Sequence, residues 1–236
     1  MRTGNLAESK TQTAQFISFM ESRVETSTEE LRALAAKLRH EKRFLESVAL
    51  YDAAAYFCRR KTVPKDIVTW MAACMDGMKE TAIAMVKNDP DLRAIVPGHV
   101  ILRMRDVLRQ IEDVDGVADQ IKCLQVVWVL QSIEFCQYLS DLWEEREATL
   151  AAALAKMRNV LGDASMRYSI YGTLLHNMGN VHKRMLRWDK AAACYLQAID
   201  TFQTAGDYEN ENERKEDLKR SEANLYGVYQ SGGKAW

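Results

Sequence analysis

Apolar side chains recur at three- and four-residue spacing along most of the chain, the period of helices that each bury one face. Leu31, Leu34, Ala35 and Leu38 share such a face, and after the polar break His40 to Arg43 a second face runs through Phe44, Val48, Tyr51, Ala54 and Ala55. Together they predict an antiparallel helical hairpin. Thr26-Ser27-Thr28 ahead of Glu29 and Glu30 supplies its capped start, because short hydroxyl side chains accept from the unpaired amides of a first turn. Residues 1–27 read as a partly helical lead-in. Thr62-Val63-Pro64-Lys65-Asp66 closes the hairpin, since proline disfavours helix in the residue before it and suits the first turn of the next one.

That next helix is predicted over about 66–86. Asn88-Asp89-Pro90-Asp91 and Pro97-Gly98 form the densest cluster of helix breakers and predict a loop with a short helical turn. A helix with Ile101, Leu102, Val107, Leu108 and Ile111 on its apolar side follows, carrying Arg103, Arg105 and Arg109 elsewhere, and it stops at the break 113–116. Further helices are predicted over 117–139, 144–161, 165–186, 189–204 and 212–230, with Gly162-Asp163 as the stop after the second of these. The fold class is all-α. Three Pro and 11 Gly in 236 residues are too few for a turn-rich β-sandwich or barrel.

Charge changes the picture little. Thirty-two basic and 33 acidic residues leave a formal charge of −1, so nothing in bulk draws the chain to nucleic acid or to an anionic membrane. Apolar runs such as Val126 to Leu130 fall far short of the ~20 residues that span a bilayer. A soluble cytoplasmic protein is expected. Cys58, Cys74, Cys123, Cys136 and Cys194 are odd in number and contain no C-x-x-C pair, which points to reduced, structural thiols.

The run Asn177-Met178-Gly179-Asn180-Val181-His182, followed by Trp188-Asp189-Lys190-Ala191 and then Tyr195 and Ala198, resembles a tetratricopeptide repeat of the kinesin-light-chain style. Small residues at Gly179 and Ala191 are read as the place where two helices cross closely. Asn224-Leu225-Tyr226-Gly227-Val228-Tyr229 repeats the pattern more weakly, with Gly232 and Gly233 in the following turn. Ala35, Ser47, Tyr51 and Ala54 repeat the spacing of Gly179, Ala191, Tyr195 and Ala198; Cys74 marks a candidate further copy. Ala148, Ala152 and Ala155 echo Ala191, Tyr195 and Ala198 at a distance of 43 residues, which puts Cys136 in the place of Gly179. The resemblance implies a right-handed superhelical solenoid of antiparallel helical hairpins. Residues 28–236 then form one domain, least regular over 62–125 and most regular over 130–230. The chain stops at Gly232 to Trp236, in the turn after a first helix, which suits either a capping helix or one part of a longer protein.

No constellation for catalysis emerges. His40, His99, His176 and His182 form no H-E-x-x-H, and there is no phosphate-cradling G-x-x-x-x-G-K-[ST] or G-x-G-x-x-G loop and no G-x-S-x-G elbow. Glu144-Glu145 and the acidic residues of 209–213 read as solvated helix ends. Trp70, Trp128, Trp143 and Trp188 read as inter-helix packing. No enzyme, metal or cofactor is expected.

The resemblance instead implies an interaction scaffold, with a concave groove that takes a peptide or helical segment of another protein. Its groove positions correspond here to Thr173, His176, Asn180, Lys183 and Arg184, to Arg32, Arg39 and His40, to Ile133, Gln137 and Asp141, and to Arg220, Ala223 and Gly227. Asn180 both donates and accepts, which suits a peptide backbone of any sequence, and Lys183, Arg184 and Arg220 suit an acidic segment. A helical regulatory or ligand-sensing protein is the alternative; an apolar cavity between Trp70 and Trp128 would favour it.

Overall fold

A computed structural model describes residues 28–61 and 63–231; the expected lead-in 1–27 and the turn at Gly232-Gly233 lie outside them. Among the described residues there are nine α-helices and no strand: α1 (Thr28–His40), α2 (Phe44–Phe57), α3 (Pro64–Asn88), α4 (Val96–Glu112), α5 (Asp119–Leu139), α6 (Trp143–Leu161), α7 (Ser169–Arg184), α8 (Trp188–Thr204) and α9 (Glu211–Ser231). None is long and apolar enough to cross a membrane. Pro64 opens α3 as its first residue, and Pro90–Ala94 forms the short 3-10 turn expected among the breakers. Helix α7 starts four residues later than its periodicity predicts. Gly162–Arg167 winds as 3-10 helix, Tyr168 is extended, and the Ser169 amide donates to Asp207 at 2.7 Å, which fixes the start.

Three of the connections are the same turn. Lys42, Asp141 and Leu186 adopt φ of 61°, 57° and 58°, each followed by a residue of matching conformation, Arg43, Leu142 and Arg187. The Arg43 amide donates back to Leu38 O at 2.9 Å and that of Arg187 to His182 O at 2.8 Å, which satisfies carbonyls the helix end leaves open. A left-handed conformation costs a non-glycine residue roughly 1–2 kcal/mol. Its recurrence at one position in three turns marks one shared way of leaving a helix and entering the next. The turns also align the repeats: Leu186 lies 144 positions after Lys42, as the spacing of Ala35 and Tyr51 predicts, but 45 after Asp141 instead of 43.

Burial follows the 45-residue alignment. Arg146, Leu150 and Ala153 are buried, whereas the expected Ala148, Ala152 and Ala155 are exposed. Glu134, not Cys136, then stands where Gly179 stands. In the first hairpin Ser47 takes the place of Ala191, and its hydroxyl is satisfied by Ala35 O at 2.8 Å and Thr81 Oγ1 at 3.1 Å.

Packing divides the chain into two compact units, up to Asp141 and from Leu142, within the span that reads as one domain. The dividing turn has the same geometry as the other two, so nothing local marks it. In the first unit α1 packs on α2, α2 on α3, and α5 on both α3 and α4. Its core is rich in methionine and alanine, with Leu31, Tyr51, Met71, Met75, Met78, Met104 and Ile133 among its members. Leu34, Leu102 and Trp128, expected inside, are 41%, 59% and 50% exposed. In the second unit α6 packs on α7, α7 on α8 and α8 on α9, and Ala191, Tyr195 and Val228 are buried against Trp188, Ala192 and Leu225.

Candidate functional site

The second unit gathers most of the groove residues expected from sequence. Helix α7 carries Thr173, His176, Asn180, Lys183 and Arg184, and α9 lays Arg220, Ser221, Asn224 and Gly227 alongside. Lys183 Nζ donates to Asn224 Oδ1 at 3.2 Å and lies 3.5 Å from where a Cβ on Gly227 would sit. Asn180 is half-buried, and its Oδ1 accepts from the Tyr195 hydroxyl at 2.7 Å. Burial raises the Tyr195 pKa, so the phenol keeps its proton and remains the donor. Thr173 donates back to Ser169 O at 3.2 Å.

His176 does not open into the groove as expected. It is buried, with Nδ1 2.8 Å from Ser221 Oγ and its ring edge-on to Tyr195 at 5.5 Å. A polar residue is accommodated there because α9 supplies a partner, which the sequence around His176 does not reveal. Burial first, then the charges of Arg220, Arg146 and Lys183, push its pKa down to about 4 from the ordinary 6.5. The unfolded chain therefore binds a proton that the native state refuses. Stability is fully present above about 6.5 and is expected to fall as pH drops from there toward about 4, with a slope of up to ~1.4 kcal/mol per pH unit from this group. Urea midpoints measured across that range for wild type and His176→Asn check it; equal slopes would count against a buried neutral imidazole.

The cations divide by partner. Arg220 pairs with Asp217 at 2.7 Å, and Asp217 also accepts from Tyr208 at 2.8 Å. Arg187 donates to both carboxylate oxygens of Glu147 at 2.9 Å. His182 is buried, with Nδ1 3.8 Å from the same carboxylate. Arg184 is exposed, and its guanidinium lies 5.6 Å from the centre of the Trp143 ring; the Arg146 guanidinium lies 5.3 Å from it. Among the described residues neither Lys183 nor Arg184 has a carboxylate within ion-pair distance. Trp143, Ser221 and Asn224 were not legible as site residues. The one signal for Trp143 is the aromatic that opens the second helix after each shared turn: Phe44, Trp143 and Trp188.

Arg32 and Arg39 belong to the first unit. Arg32 stacks on Trp70 at 4.8 Å, with Lys61 4.9 Å from the same ring; Arg39 is half-buried and His40 exposed. Ile133 and Gln137 are buried, so they line no open face, and Asp141 sits in the turn. The 45-residue alignment replaces them with Trp128, Gln131, Phe135 and Tyr138, which are partly or half exposed. Of α9's expected pair, Ala223 is exposed and Gly227 partly so. Two of the arginines of α4 are matched by acids: Arg103 lies 3.5 Å from Asp52 and Arg109 pairs with Asp106, around an open depression of about 380 Å³. Burial raises the Asp52 pKa, against the opposing pull of Arg103.

No protein-family model matches the chain, and no curated protein matches its sequence. Its structure is similar to the crystal structure of BtubC (BKLC) from P. vanneervenii, with a TM-score of 0.63 and 16% sequence identity over 98% of this chain and 82% of that one. The fold is that of a helical repeat protein of the tetratricopeptide type.

Proposed function

We propose that this chain is a protein-interaction scaffold, and that the α7–α9 face of its second unit takes an acidic or extended segment of another protein. The observation that supports the reading is the placement of Lys183 and Arg184 at the open end of α7, beside Asn180 and Arg220, with no carboxylate paired to either among the described residues. Cations left without an internal carboxylate favour an external anion, and Asn180 adds a group able to pair with backbone. Losing a charge-assisted hydrogen bond costs ~1.5–3 kcal/mol, so Lys183→Glu with Arg184→Glu is expected to weaken the complex at least ~10-fold. The helical signal should be unchanged, and the melting temperature should fall by no more than a few degrees for the lost Asn224 and Trp143 contacts. The test is to capture partners from lysate on the immobilised chain, identify them by mass spectrometry, and titrate the purified partner against wild type and the double variant. Added salt should weaken the wild-type complex in the same direction. Equal affinities for wild type and variant would overturn the reading.

A further inference from the structure

The two cations at the end of α7 are held in different ways. Lys183 is tied to Asn224, a neutral amide, by a single hydrogen bond from a point-like ammonium. Arg184 has its guanidinium against the face of Trp143, within the ~6 Å at which a ring attracts a cation. Trp143 is itself set in place by the backbone: it is the first residue of α6, straight after the left-handed Asp141 and the Leu142 cap, and it is half-buried. A guanidinium that rests on a ring keeps its outward N–H groups in one plane and loses little freedom on pairing with a planar anion. We propose that Arg184, positioned by Trp143, is the specificity-determining residue of the α7–α9 face, a preorganised two-pronged clamp for a carboxylate of the partner segment.

The proposal rests on the reading of this face as an acidic-segment site and goes one step beyond it. Diffuse attraction counts charges, so lysine would serve at position 184 as well as arginine. A clamp does not allow that exchange, because an ammonium offers no planar pair of donors. Nor does diffuse attraction notice Trp143, which carries no charge. The carboxylate can come from an Asp or Glu side chain or from a chain terminus; both present the same two oxygens.

The test uses the full chain and a fluorescein-labelled peptide of alternating Glu and Ser with an amidated end, its Gln-for-Glu counterpart, and that counterpart with a free C-terminus, read by fluorescence polarisation at low salt. Arg184→Lys is expected to weaken the Glu peptide on the order of tenfold, and Trp143→Leu about three- to tenfold. Trp143→Phe, which keeps a ring face, should restore most of the loss. Neither Arg184→Lys nor Trp143→Leu should change the slope of affinity against salt, because the number of charges is the same. Lys183→Gln should reduce that slope. If the free-ended Gln peptide binds and its amide does not, the clamp takes a terminus; if the Glu peptide binds, it takes side chains. Should Arg184→Lys bind as wild type does while Lys183→Glu with Arg184→Glu destroys binding, the clamp is overturned and the acidic-segment reading survives. Should wild type bind none of the peptides, or the charge reversal leave binding unchanged, both fall together. Arg184 is exposed, so its variants fold whether or not Trp143→Leu does.

Discussion

Tyr195→Ala is expected to destabilise the second unit by ~3–5 kcal/mol, the range for deleting a fully buried aromatic ring. The ring is wholly inaccessible to water and lies directly over the backbone of Gly179, where a Cβ would come within 2.6 Å of its Cε1 atom. Its hydroxyl also occupies Asn180, and its ring packs against that of His176, so removal leaves a cavity, an unpaired Asn180 oxygen and a lost aromatic contact. The glycine supports a matched expectation. Gly179→Ala gains ~1 kcal/mol of helix propensity, yet it must displace a ring that Asn180 and His176 hold, at ~1–3 kcal/mol, so the net effect is destabilising. In a Tyr195→Ala background the obstacle is gone and the same substitution should become stabilising. Urea denaturation of the four proteins in that cycle measures the coupling. Additive effects would show that Tyr195 does not lie over Gly179. The first unit repeats the device, with the Tyr51 ring against the backbone of Gly77.

The first and last hairpins were legible because each carries a small residue, an aromatic and an alanine at fixed spacing: Ala35, Tyr51 and Ala54 in one, Gly179, Tyr195 and Ala198 in the other. Such residues are chosen by volume where helices cross, so their spacing reports tertiary packing directly. The stretch around the middle turn lacks that punctuation. Between Ala148 and Ala155 there are five alanines, and several registers place a small residue at a plausible crossing. The residues that decide among them, Leu150 and the left-handed Asp141, are of types common at any position. The turns hid for a related reason. Left-handed backbone is normally betrayed by glycine, and here Lys42, Asp141 and Leu186 adopt it instead.

Of the site, the cations were legible as candidates because a basic residue near a helix end is expected to be solvent-facing. Their division of labour was not. Whether Arg184 stands free, pairs with an acid or rests on a ring depends on Trp143, 41 residues earlier, and the burial of His176 depends on Ser221, 45 residues later. Helical periodicity reports which face of a helix is apolar; it carries no information about which polar residue of a distant helix arrives at that face.

The 45-residue register of α6 makes the second large expectation. Leu150→Ala should cost ~2–5 kcal/mol, because Leu150 is wholly buried and stands where Tyr195 stands in the next repeat. Ala153→Leu should overpack the buried side of α6 at ~1–3 kcal/mol, as Ala153 has no accessible surface and occupies the place of Ala198. Ala152→Leu adds the same volume one residue earlier, on the exposed side of α6, and should stay within ~0.5 kcal/mol of wild type. The comparison between Ala152 and Ala153 is the sharper one. Identical substitutions at adjacent positions share helix propensity and unfolded-state effects to within a few tenths of a kcal/mol, so their difference isolates packing. Thermal or urea unfolding of the three variants reads it out. A large cost at Ala152 with none at Ala153 would restore the 43-residue spacing and put Cys136 back in the place of Gly179.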